Sequence, residues 1–436
     1  MSGIALDAGA AALLRTLHEA GHAAYAVGGC VRDSLLGLVP HDWDLCTSAL
    51  PQQVLELFGP QNCIPTGLQH GTVTIKYGGN LYETTTFRTE GAYSDGRHPD
   101  EVHFVPDVRA DLARRDFTIN AMAYSAEEGL IDPFGGQADL QASLVRAVGR
   151  PQHRFEEDAL RILRLYRFAA RFGFALDPAT AAAARALAPH LDCVSAERIA
   201  EELCKLLAAP APGAYLEPAV LQAILPQLTP QALEAAKPVV DACPSGAEHL
   251  PVRLAALLMS LGEDGTRTAL KRLRCSNACI EETAVLVREV GECTGSFLLG
   301  QPGTQVPPQR FAPGPHLPEV LGETSGTPDM RCIRRLLGRY DLKTVQRLAA
   351  LGAALEPGHS ADFAAQAELA EELEADGVCC RVSQLAVNGR DLMAAGIPAG
   401  PGLRRVLEAL LDAVIRNEVP NERAALLQRA REFSAS

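Results

Sequence analysis

Hydrophobic and polar positions alternate in short runs over the first 150 residues, and glycine and proline separate the runs. Several runs are rich in apolar or β-branched residues, which is typical of strands, and helical patterns lie between them. The last two runs are joined by the turn sequence GGN, which predicts a hairpin. The predicted strands are YAVGG (25–29), DWDLC (42–46), TVTIKY (72–77) and LYETTTF (81–87). This mixture predicts an α/β domain.

From about residue 153 the strand signals fade, and Ala, Leu and Arg recur at helical spacing. Residues 300–330 contain seven prolines and several glycines, which predicts a loop or linker between helical modules. The predicted fold class is therefore α/β followed by all-α. We divide the chain into an α/β part at 1–150 and helical parts at 151–210, 211–330 and 331–436.

The composition is that of a large globular protein, with 436 residues of which 47% are hydrophobic. No apolar run reaches the roughly 18 residues that a membrane helix needs, and the N-terminus lacks a basic-then-apolar secretory pattern. The twelve cysteines include no C-x-x-C pair. We therefore expect neither a zinc site nor a disulfide framework, but reduced cysteines in a cytoplasmic protein.

The net charge of −13 argues against a protein that binds nucleic acid through general positive charge. The charge is unevenly distributed, however. Residues 1–150 contain 10 Lys and Arg against 18 Asp and Glu, whereas residues 151–200 contain 7 against 6 and residues 301–350 contain 7 against 4. Two locally basic zones are therefore present in an acidic chain.

The sequence DWD supplies a candidate metal site. Side chains alternate between the two faces of a strand, so a strand over 42–46 places Asp42 and Asp44 on one face and Trp43 on the other. Two neighbouring carboxylates repel each other unless a cation lies between them, and carboxylate oxygens are the ligands that Mg²⁺ prefers. The alternative is a solvated strand edge or a helix cap.

Upstream, Gly28 and Gly29 lie where the first strand is predicted to turn into a helix. Glycines let a backbone approach an anion closely, and a helix N-terminus favours phosphate. Arg32 follows in the first turn and can pair with a triphosphate oxygen. Glu83, on the second hairpin strand, is a candidate third carboxylate beside the aspartates. An ordinary tight turn and a solvent-facing glutamate are the alternatives.

These segments resemble the motifs of the class II tRNA nucleotidyltransferase and poly(A) polymerase family, a branch of the DNA polymerase beta-like nucleotidyltransferases. The similarity begins at GGCVRDSLLGLVPHDWDLCTSALP (28–51) and continues in the family's order. The later segments are HGTVTI (70–75), TTFRTEGAYSDGRHPDEVHFV (85–105), RRDFTINAMAY (114–124), LIDPFGG (130–136), RFEEDALRILRLYRFAARFGF (154–174), SAERIAEEL (195–203) and a C-terminal stretch at 385–427 similar to Gram-positive-type members.

The resemblance implies a catalytic head at 1–150, a helical neck at 151–210, a helical body at 211–330 and a helical tail at 331–436. It also implies template-independent addition and repair of the 3′-terminal CCA of tRNA from CTP and ATP, with release of pyrophosphate. Two Mg²⁺ ions held by Asp42 and Asp44 would assist, with Glu83 as a third catalytic carboxylate. The implied nucleotide-binding residues are Gly28, Gly29, Arg32, Arg115, Asp116, Asn120, Glu157, Asp158, Arg161 and Arg164.

The segment EEDALR carries the expected base selection. On a helix, Asp158 and Arg161 stand at i and i+3, on one face. A carboxylate acceptor beside a guanidinium donor matches the pairing edges of cytosine and adenine, whereas uracil and guanine present the reverse order. The resemblance assigns base reading to this pair, with Glu157 as a supporting neighbour. The alternative is a surface ion pair.

A basic repeat supplies a candidate surface for the tRNA acceptor arm. Basic residues recur every four positions, so on one helix they form a single broad face suited to phosphate contacts. These residues are Arg331, Arg335, Arg339, Lys343 and Arg347, joined by Arg334. A solvated helix face is the alternative, and LKRLRCSN (270–277) is a weaker candidate surface.

Other functions remain open at this point. An A-adding tRNA enzyme or a poly(A) polymerase shares every motif through residue 203. The uninterrupted loop with Arg97 argues against an enzyme that adds only C, and the chain has no downstream H…HD…D set, so no phosphohydrolase domain is expected. An inactive scaffold that binds nucleotide or tRNA and a small-molecule nucleotidyltransferase are the remaining alternatives. We expect no membrane association and no obligatory protein partner.

Overall fold

The computed structural model describes residues 4–91, 102–293 and 330–435. They form two compact units, which divide at Pro230. Arg97 and most of the proline-rich segment 300–330 lie outside the described residues. None of the described helices is long and apolar enough to cross a membrane. The finer division of the chain at 150, 210 and 330 stays a prediction.

The first unit contains strands and helices. Its strands are β1 Ala24–Val27, β2 Leu45–Thr47, β3 Cys63–Gly67, β4 Thr72–Tyr77, β5 Asn80–Thr86, β6 Arg88–Glu90, β7 Val102–Phe104, β8 Ala123–Ser125, β9 Gly129–Ile131, β10 Leu144–Val145 and β11 Ala175–Leu176. Its helices are α1 Ala8–Glu19, α2 Gly29–Leu35, α3 Pro51–Phe58, α4 Val108–Ala113, α5 Gly136–Gln141, α6 Pro151–Glu157, α7 Leu160–Phe172, α8 Pro178–Leu187, α9 Ala196–Leu207 and α10 Pro218–Ile224.

Seven strands form one mixed sheet in the order β3-β4-β5-β2-β1-β8-β9. The short central strand β2 pairs antiparallel with β1 and parallel with β5. One cluster of buried apolar side chains lies on the central strands and includes Tyr25, Cys46 and Phe87. The sheet therefore brings the segment after β1, the segment before β2 and strand β5 into one neighbourhood.

The predicted hairpin is confirmed. Strands β4 and β5 pair from Thr72↔Thr85 to Tyr77↔Asn80, which leaves Gly78 and Gly79 as the two-residue turn. Both glycines have positive φ, 59° and 85°. A turn of this kind matches the right-handed twist of its strands and requires positive φ at both central residues, which glycine adopts without strain.

The second unit is helical throughout its described residues. Its helices are α11 Pro230–Ala242, α12 Leu250–Leu258, α13 Gly262–Arg272, α14 Asn277–Cys293, α15 Met330–Arg339, α16 Leu342–Leu355, α17 Ser360–Ala375, α18 Gly389–Ala394, α19 Pro401–Ile415 and α20 Arg423–Ala435. One buried cluster joins Ile333, Leu337 and Val345 to α17, and another joins Leu392, Leu410 and Leu426. The predicted class, α/β followed by all-α, is confirmed.

Candidate active site

The aspartate pair lies just before a strand, and the predicted strand over 42–46 is wrong at its start. Strand β2 begins at Leu45, so Asp42 and Asp44 occupy the preceding loop, where both are exposed. The last link to β1 is the Val27 N–H, which donates to the Asp44 carbonyl at 3.0 Å. Strand β1 then ends, because Gly28 turns the chain with φ of 78°. Residues 42 and 43 therefore have no β1 residue to pair with.

Glu83 lies beside this loop. Strands β2 and β5 run parallel, and Leu45 lies opposite Thr84. Asp44 directly precedes Leu45 and Glu83 directly precedes Thr84, so the two acidic residues lie beside each other. Glu83 is on β5, as predicted, and it is exposed. The structure therefore brings Asp44 and Glu83 to the same edge of the sheet, with Asp42 two residues away in the chain.

The charges around Asp44 are unbalanced. Desolvation by the protein packed around its carboxylate, followed by the negative charge of Glu83, raises the pKa of Asp44 from 3.8 to about 6. Arg115 acts in the opposite direction, and Asp42 adds a further upward contribution to this pKa. The nearby arginine therefore does not compensate the acidic residues, and oxygen donors with this excess of negative charge fit a hard divalent cation.

The described residues contain no complete metal cage. Within residues 4–91, 102–293 and 330–435, no group of three or more His, Cys, Asp or Glu side chains is arranged to hold an ion. A Mg²⁺ ion usually keeps several waters and uses only one or two protein carboxylates together with substrate phosphates. Asp42 and Asp44 fit that pattern, and Glu83 contributes charge beside them.

Gly28 and Gly29 form the turn between β1 and α2. A Cβ built on Gly28 would lie 2.8 Å from Nη1 of Arg115, so a larger residue would displace that guanidinium. Helix α2 begins at Gly29 and no side chain caps it. The Nε atom of Arg115 is buried and has no hydrogen-bond partner in the described part of the chain. This turn therefore offers uncapped helix N–H groups and a partly unpaired cation near Asp44.

Arg32 has a different environment from the one predicted. Its side chain is 4% exposed, its Nη2 lies 2.7 Å from Asp33 Oδ1, and its Nη1 donates to Asn120 Oδ1 at 2.5 Å. The guanidinium also lies over the rings of Phe168 and Phe172. These partners hold the guanidinium inside the fold, and the nucleotide-binding role of Arg32 stays a prediction.

Asp116 is the centre of a buried network. Its Oδ1 accepts from Asn120 Nδ2 at 3.0 Å and from the Phe117 N–H at 2.8 Å, and its Oδ2 accepts from Arg164 Nη2 at 2.6 Å. Burial acts to raise the pKa of Asp116, but Arg164 and Asn120 outweigh it and hold that pKa well below its usual range. The network extends through Asn120 to Arg32, so it connects the glycine turn to helix α7.

The segment EEDALR does not form one continuous helix, and that prediction is wrong. Helix α6 ends at Glu157 and α7 begins at Leu160, while Asp158 has extended backbone angles, φ −146° and ψ 102°. Asp158 accepts the Leu160 N–H with Oδ1 at 3.1 Å, which caps the start of α7. Its other oxygen, Oδ2, accepts from Arg198 Nη2 at 2.9 Å.

Asp158 and Arg161 therefore do not form the ion pair that the spacing suggested. Arg161 Nη1 donates to Glu157 Oε2 at 2.6 Å, and its Nη2 donates to the Arg114 carbonyl at 3.2 Å. Arg154 donates to the other oxygen of Glu157 at 2.6 Å. Glu157 supports Arg161, as expected of a neighbouring residue. The acceptor and the donor proposed to read the base are each held by another partner.

Sequence reasoning missed several members of this region. Glu202 on α9 is buried between Arg164 and Arg167, and Asp33 lies 3.2 Å from Arg171. The available signal was the recurrence of arginine at residues 161, 164, 167 and 171 along an otherwise apolar helix. Arginines at helical spacing among core residues need carboxylate partners, and these partners lie on other elements of the fold.

The basic repeat in the second unit is divided between two helices, so the prediction of one helix face is wrong. Tyr340 and Asp341 separate α15 from α16. Arg334 is buried and donates to the carbonyls of Ile415 and Cys379, and Arg347 is buried beside Glu282. Arg335 lies 3.2 Å from Asp412. The exposed members of the repeat are Arg331, Arg339 and Lys343.

Three family models match the chain in order. Residues 24–146 match the poly(A) polymerase head domain, residues 173–235 match the RNA and SrmB-binding site of polymerase A, and residues 341–430 match tRNA nucleotidyltransferase domain 2. The first match contains the aspartate pair, Glu83, Asp116 and Asn120, whereas Arg164 lies outside it. The segment with Asp158 and Arg161 falls between the first two matches.

Relatives and solved structures are similar over nearly the whole chain. The CCA-adding enzyme of Lactiplantibacillus plantarum is 35% identical over 429 residues, covering 96% of this chain and 94% of the relative. The Bacillus stearothermophilus CCA-adding enzyme, solved in complex with CTP, is 30% identical with a TM-score of 0.76, covering 98% of this chain and 97% of that one. The Thermotoga maritima CCA-adding enzyme complexed with tRNA_CCA, at 20% identity and a TM-score of 0.61 over 97% and 94% of the two chains, shares the fold.

Proposed function

The chain belongs to the CCA-adding enzyme family of tRNA nucleotidyltransferases, and we propose the following roles for its described residues in adding CCA to tRNA. The chain adds the 3′-terminal C, C and A from CTP and ATP without a nucleic-acid template and releases pyrophosphate. An A-adding enzyme or a poly(A) polymerase is not favoured, because relatives that match nearly full length are CCA-adding enzymes. A cytoplasmic location remains a prediction.

The acidic group around Asp44 is the observation that carries the site assignment. Enzymes of this family use a divalent metal, and here Asp42 and Asp44 would hold two Mg²⁺ ions. Bound there, the ions would neutralise phosphate charge and lower the pKa of the attacking 3′-hydroxyl. Glu83 keeps the local charge negative and so favours cation binding. The raised pKa of Asp44 supports this role, since burial and the negative charge of Glu83 outweigh the nearby Arg115.

The glycine turn and Arg115 form the proposed triphosphate site. The uncapped start of α2 presents backbone N–H groups, and the absence of a side chain at Gly28 leaves room for Arg115. Arg115 Nη2 lies 3.6 Å from Asp111 Oδ2, and Nε has no hydrogen-bond partner within the described residues, so this guanidinium retains donor capacity. Arg32 contributes indirectly, because it fixes Asn120 from inside the fold.

The Asp116 network is the proposed ribose site. Asp116 and Asn120 are mutually hydrogen-bonded, and Arg164 holds the other carboxylate oxygen. A rigid carboxylate and amide can together accept from and donate to a ribose hydroxyl. The positive charge of Arg164 also interacts with the carboxylate of Asp158. The same arginine therefore acts on both the ribose site and the base site.

Asp158 and Arg161 are the proposed base-reading pair, with Glu157 holding Arg161. Asp158 would accept from the exocyclic amine of cytosine or adenine, and Arg161 would donate to the adjacent ring nitrogen. Uracil and guanine would present an acceptor to the carboxylate and leave buried groups unpaired, which opposes their use. One fixed acceptor–donor pair therefore selects both C and A.

The second unit provides the proposed tRNA surface. The candidate RNA-binding residues are Arg331, Arg335, Arg339, Lys343 and Arg347. Of these, the exposed Arg331, Arg339 and Lys343 are the proposed principal contacts to tRNA phosphates. Arg335 can contribute if RNA competes with Asp412, whereas Arg347 orients the helix through Glu282.

The experiment that tests the function is end sequencing. The protein is incubated with tRNA lacking its CCA end, with CTP alone, ATP alone or both, and the products are sequenced. We expect CC with CTP alone and complete CCA with both nucleotides. Products that carry only added A residues would instead support the A-adding or poly(A) alternative.

A further inference from the structure

Arg198 lies outside every role assigned above, yet it contacts the carboxylate proposed to read the base. It belongs to the first turn of α9, and its Nη2 donates to Asp158 Oδ2 at 2.9 Å. A basic residue in the first turn opposes the helix dipole, so helix stability does not explain an arginine here. The two side chains are 23% and 14% exposed, which places the contact at the edge of the fold, where a ligand can reach Asp158.

The remaining bonds of Asp158 fix only part of its geometry. Oδ1 accepts the Leu160 N–H, and the extended backbone at residue 158 frees the side chain from the helix. A carboxylate has about four lone-pair sites, so these two bonds leave acceptor capacity for a base. A guanidinium can only donate, and Arg198 therefore fixes which way the carboxylate faces.

Arg198 also keeps Asp158 away from a competing partner. Arg161 is three residues further along the chain, and the two side chains would share one face if α6 and α7 were a continuous helix. The observed contacts hold the two apart, because Arg198 takes Asp158 and Glu157 takes Arg161 at 2.6 Å. If the two reading groups paired with each other, neither would present its free edge to a base.

We propose that Arg198 is a specificity-determining positioning residue, which holds the Asp158 carboxylate toward the incoming base and prevents its collapse onto Arg161. This inference rests on the proposed base-reading role of Asp158. In this role Arg198 contacts neither nucleotide nor metal and acts only through Asp158. Loss of the contact lowers the use of CTP and ATP and weakens the preference for C over U.

The test measures single-turnover incorporation of CTP and UTP onto tRNA lacking its end. We expect Arg198→Gln to lower the CTP/UTP rate ratio by about 3- to 30-fold, in the range of coupling between contacting network residues. Arg198→Lys keeps a charged donor for the single contact with Oδ2 and restores most of the ratio. Arg185→Gln removes an arginine that lies 3.5 Å from Glu217 and is the matched control, with an unchanged ratio.

A double variant separates this proposal from the base-reading assignment. If Arg198 acts through Asp158, then Arg198→Gln changes the ratio no further in a chain that already carries Asp158→Ala. A ratio that shifts with Asp158→Ala but not with Arg198→Gln overturns the role of Arg198 and leaves base reading intact. Equal loss for both nucleotides in Arg198→Gln, with no rescue by lysine, shows a purely structural contact and also overturns the proposal. Unchanged ratios in both single variants refute base reading itself.

Discussion

Replacing Asp44 with asparagine should stabilise the metal-free protein while removing its activity. The pKa of this carboxyl is raised from 3.8 to about 6, so at neutral pH the folded state holds a charge that its surroundings disfavour. The full shift corresponds to about 3 kcal/mol. Asp44 is an exposed residue, and solvent screening reduces the expected gain to about 1 kcal/mol. Asparagine removes the charge and keeps the shape.

The pH dependence gives the sign of this effect. A folded-state pKa above the unfolded value means that the native state binds the proton more tightly, so stability falls as pH rises from about 4 to about 6. Below about pH 4 the carboxyl is protonated in both states, and the two proteins should converge apart from the substitution itself. Above about pH 6 the difference should reach its full value.

Thermal unfolding in the presence of EDTA, at pH values from 4 to 8, measures the difference in stability between Asp44→Asn and the wild type. We expect Asp44→Asn to raise the Tm by about 2–4 °C at pH 7.5, the shift that about 1 kcal/mol produces in a unit of this size. Asp42→Asn removes only one of the two acidic neighbours of Asp44 and should raise the Tm less. Glu56→Gln on α3 is the control for the loss of a surface charge. An Asp44→Asn variant less stable than the wild type at pH 7.5 would refute the charge-imbalance argument.

Three further outcomes follow from the same geometry. Asp42→Asn should abolish nucleotide addition but leave tRNA affinity near wild type, as measured by incorporation and filter binding; near-normal incorporation would contradict its metal role. Asp116→Asn removes the buried carboxylate that pairs with Arg164 Nη2 at 2.6 Å and leaves that guanidinium with the more distant Glu202, at 3.8 Å. It should lower the free energy of unfolding by about 2–4 kcal/mol in urea titrations, whereas a change below about 0.5 kcal/mol would show that the ion pair is not stabilising. Replacing the exposed basic residues Arg331, Arg339 and Lys343 with Glu should weaken tRNA binding and flatten its salt dependence. An unchanged salt slope would place the RNA on another surface.

Local signals predicted the sheet well where neighbouring residues determine the structure. The hairpin at 72–87 depends on a Gly-Gly turn and on alternation within a few residues, and both are visible in the sequence. The class of the fold and the family were also recognisable from ordered motifs. The strand start at Leu45 was not, because it depends on where β1 ends at the Gly28 turn.

The remaining differences come from partners that are distant in sequence. EEDALR contains no glycine or proline, yet the helix breaks at Asp158, which Arg198 binds from 40 residues away. Arg347 belongs to the basic repeat and Arg334 adjoins it, but their partners at Glu282 and Ile415 draw them into the fold. Periodicity indicates which residues share a helix face, whereas only tertiary packing determines whether that face meets solvent.

One acceptor–donor pair is proposed to select both C and A, and single-turnover incorporation of all four nucleotides measures that selection. The reaction uses tRNA lacking its CCA end, with Asp158→Ala, Arg161→Ala and wild-type protein, and thermal melts as the folding control. Each lost contact should lower the CTP/UTP and ATP/GTP rate ratios by about 5- to 150-fold, with the larger relative gain for UTP and GTP in Asp158→Ala. Wild-type ratios in both variants would contradict the claim and assign the selectivity to other residues.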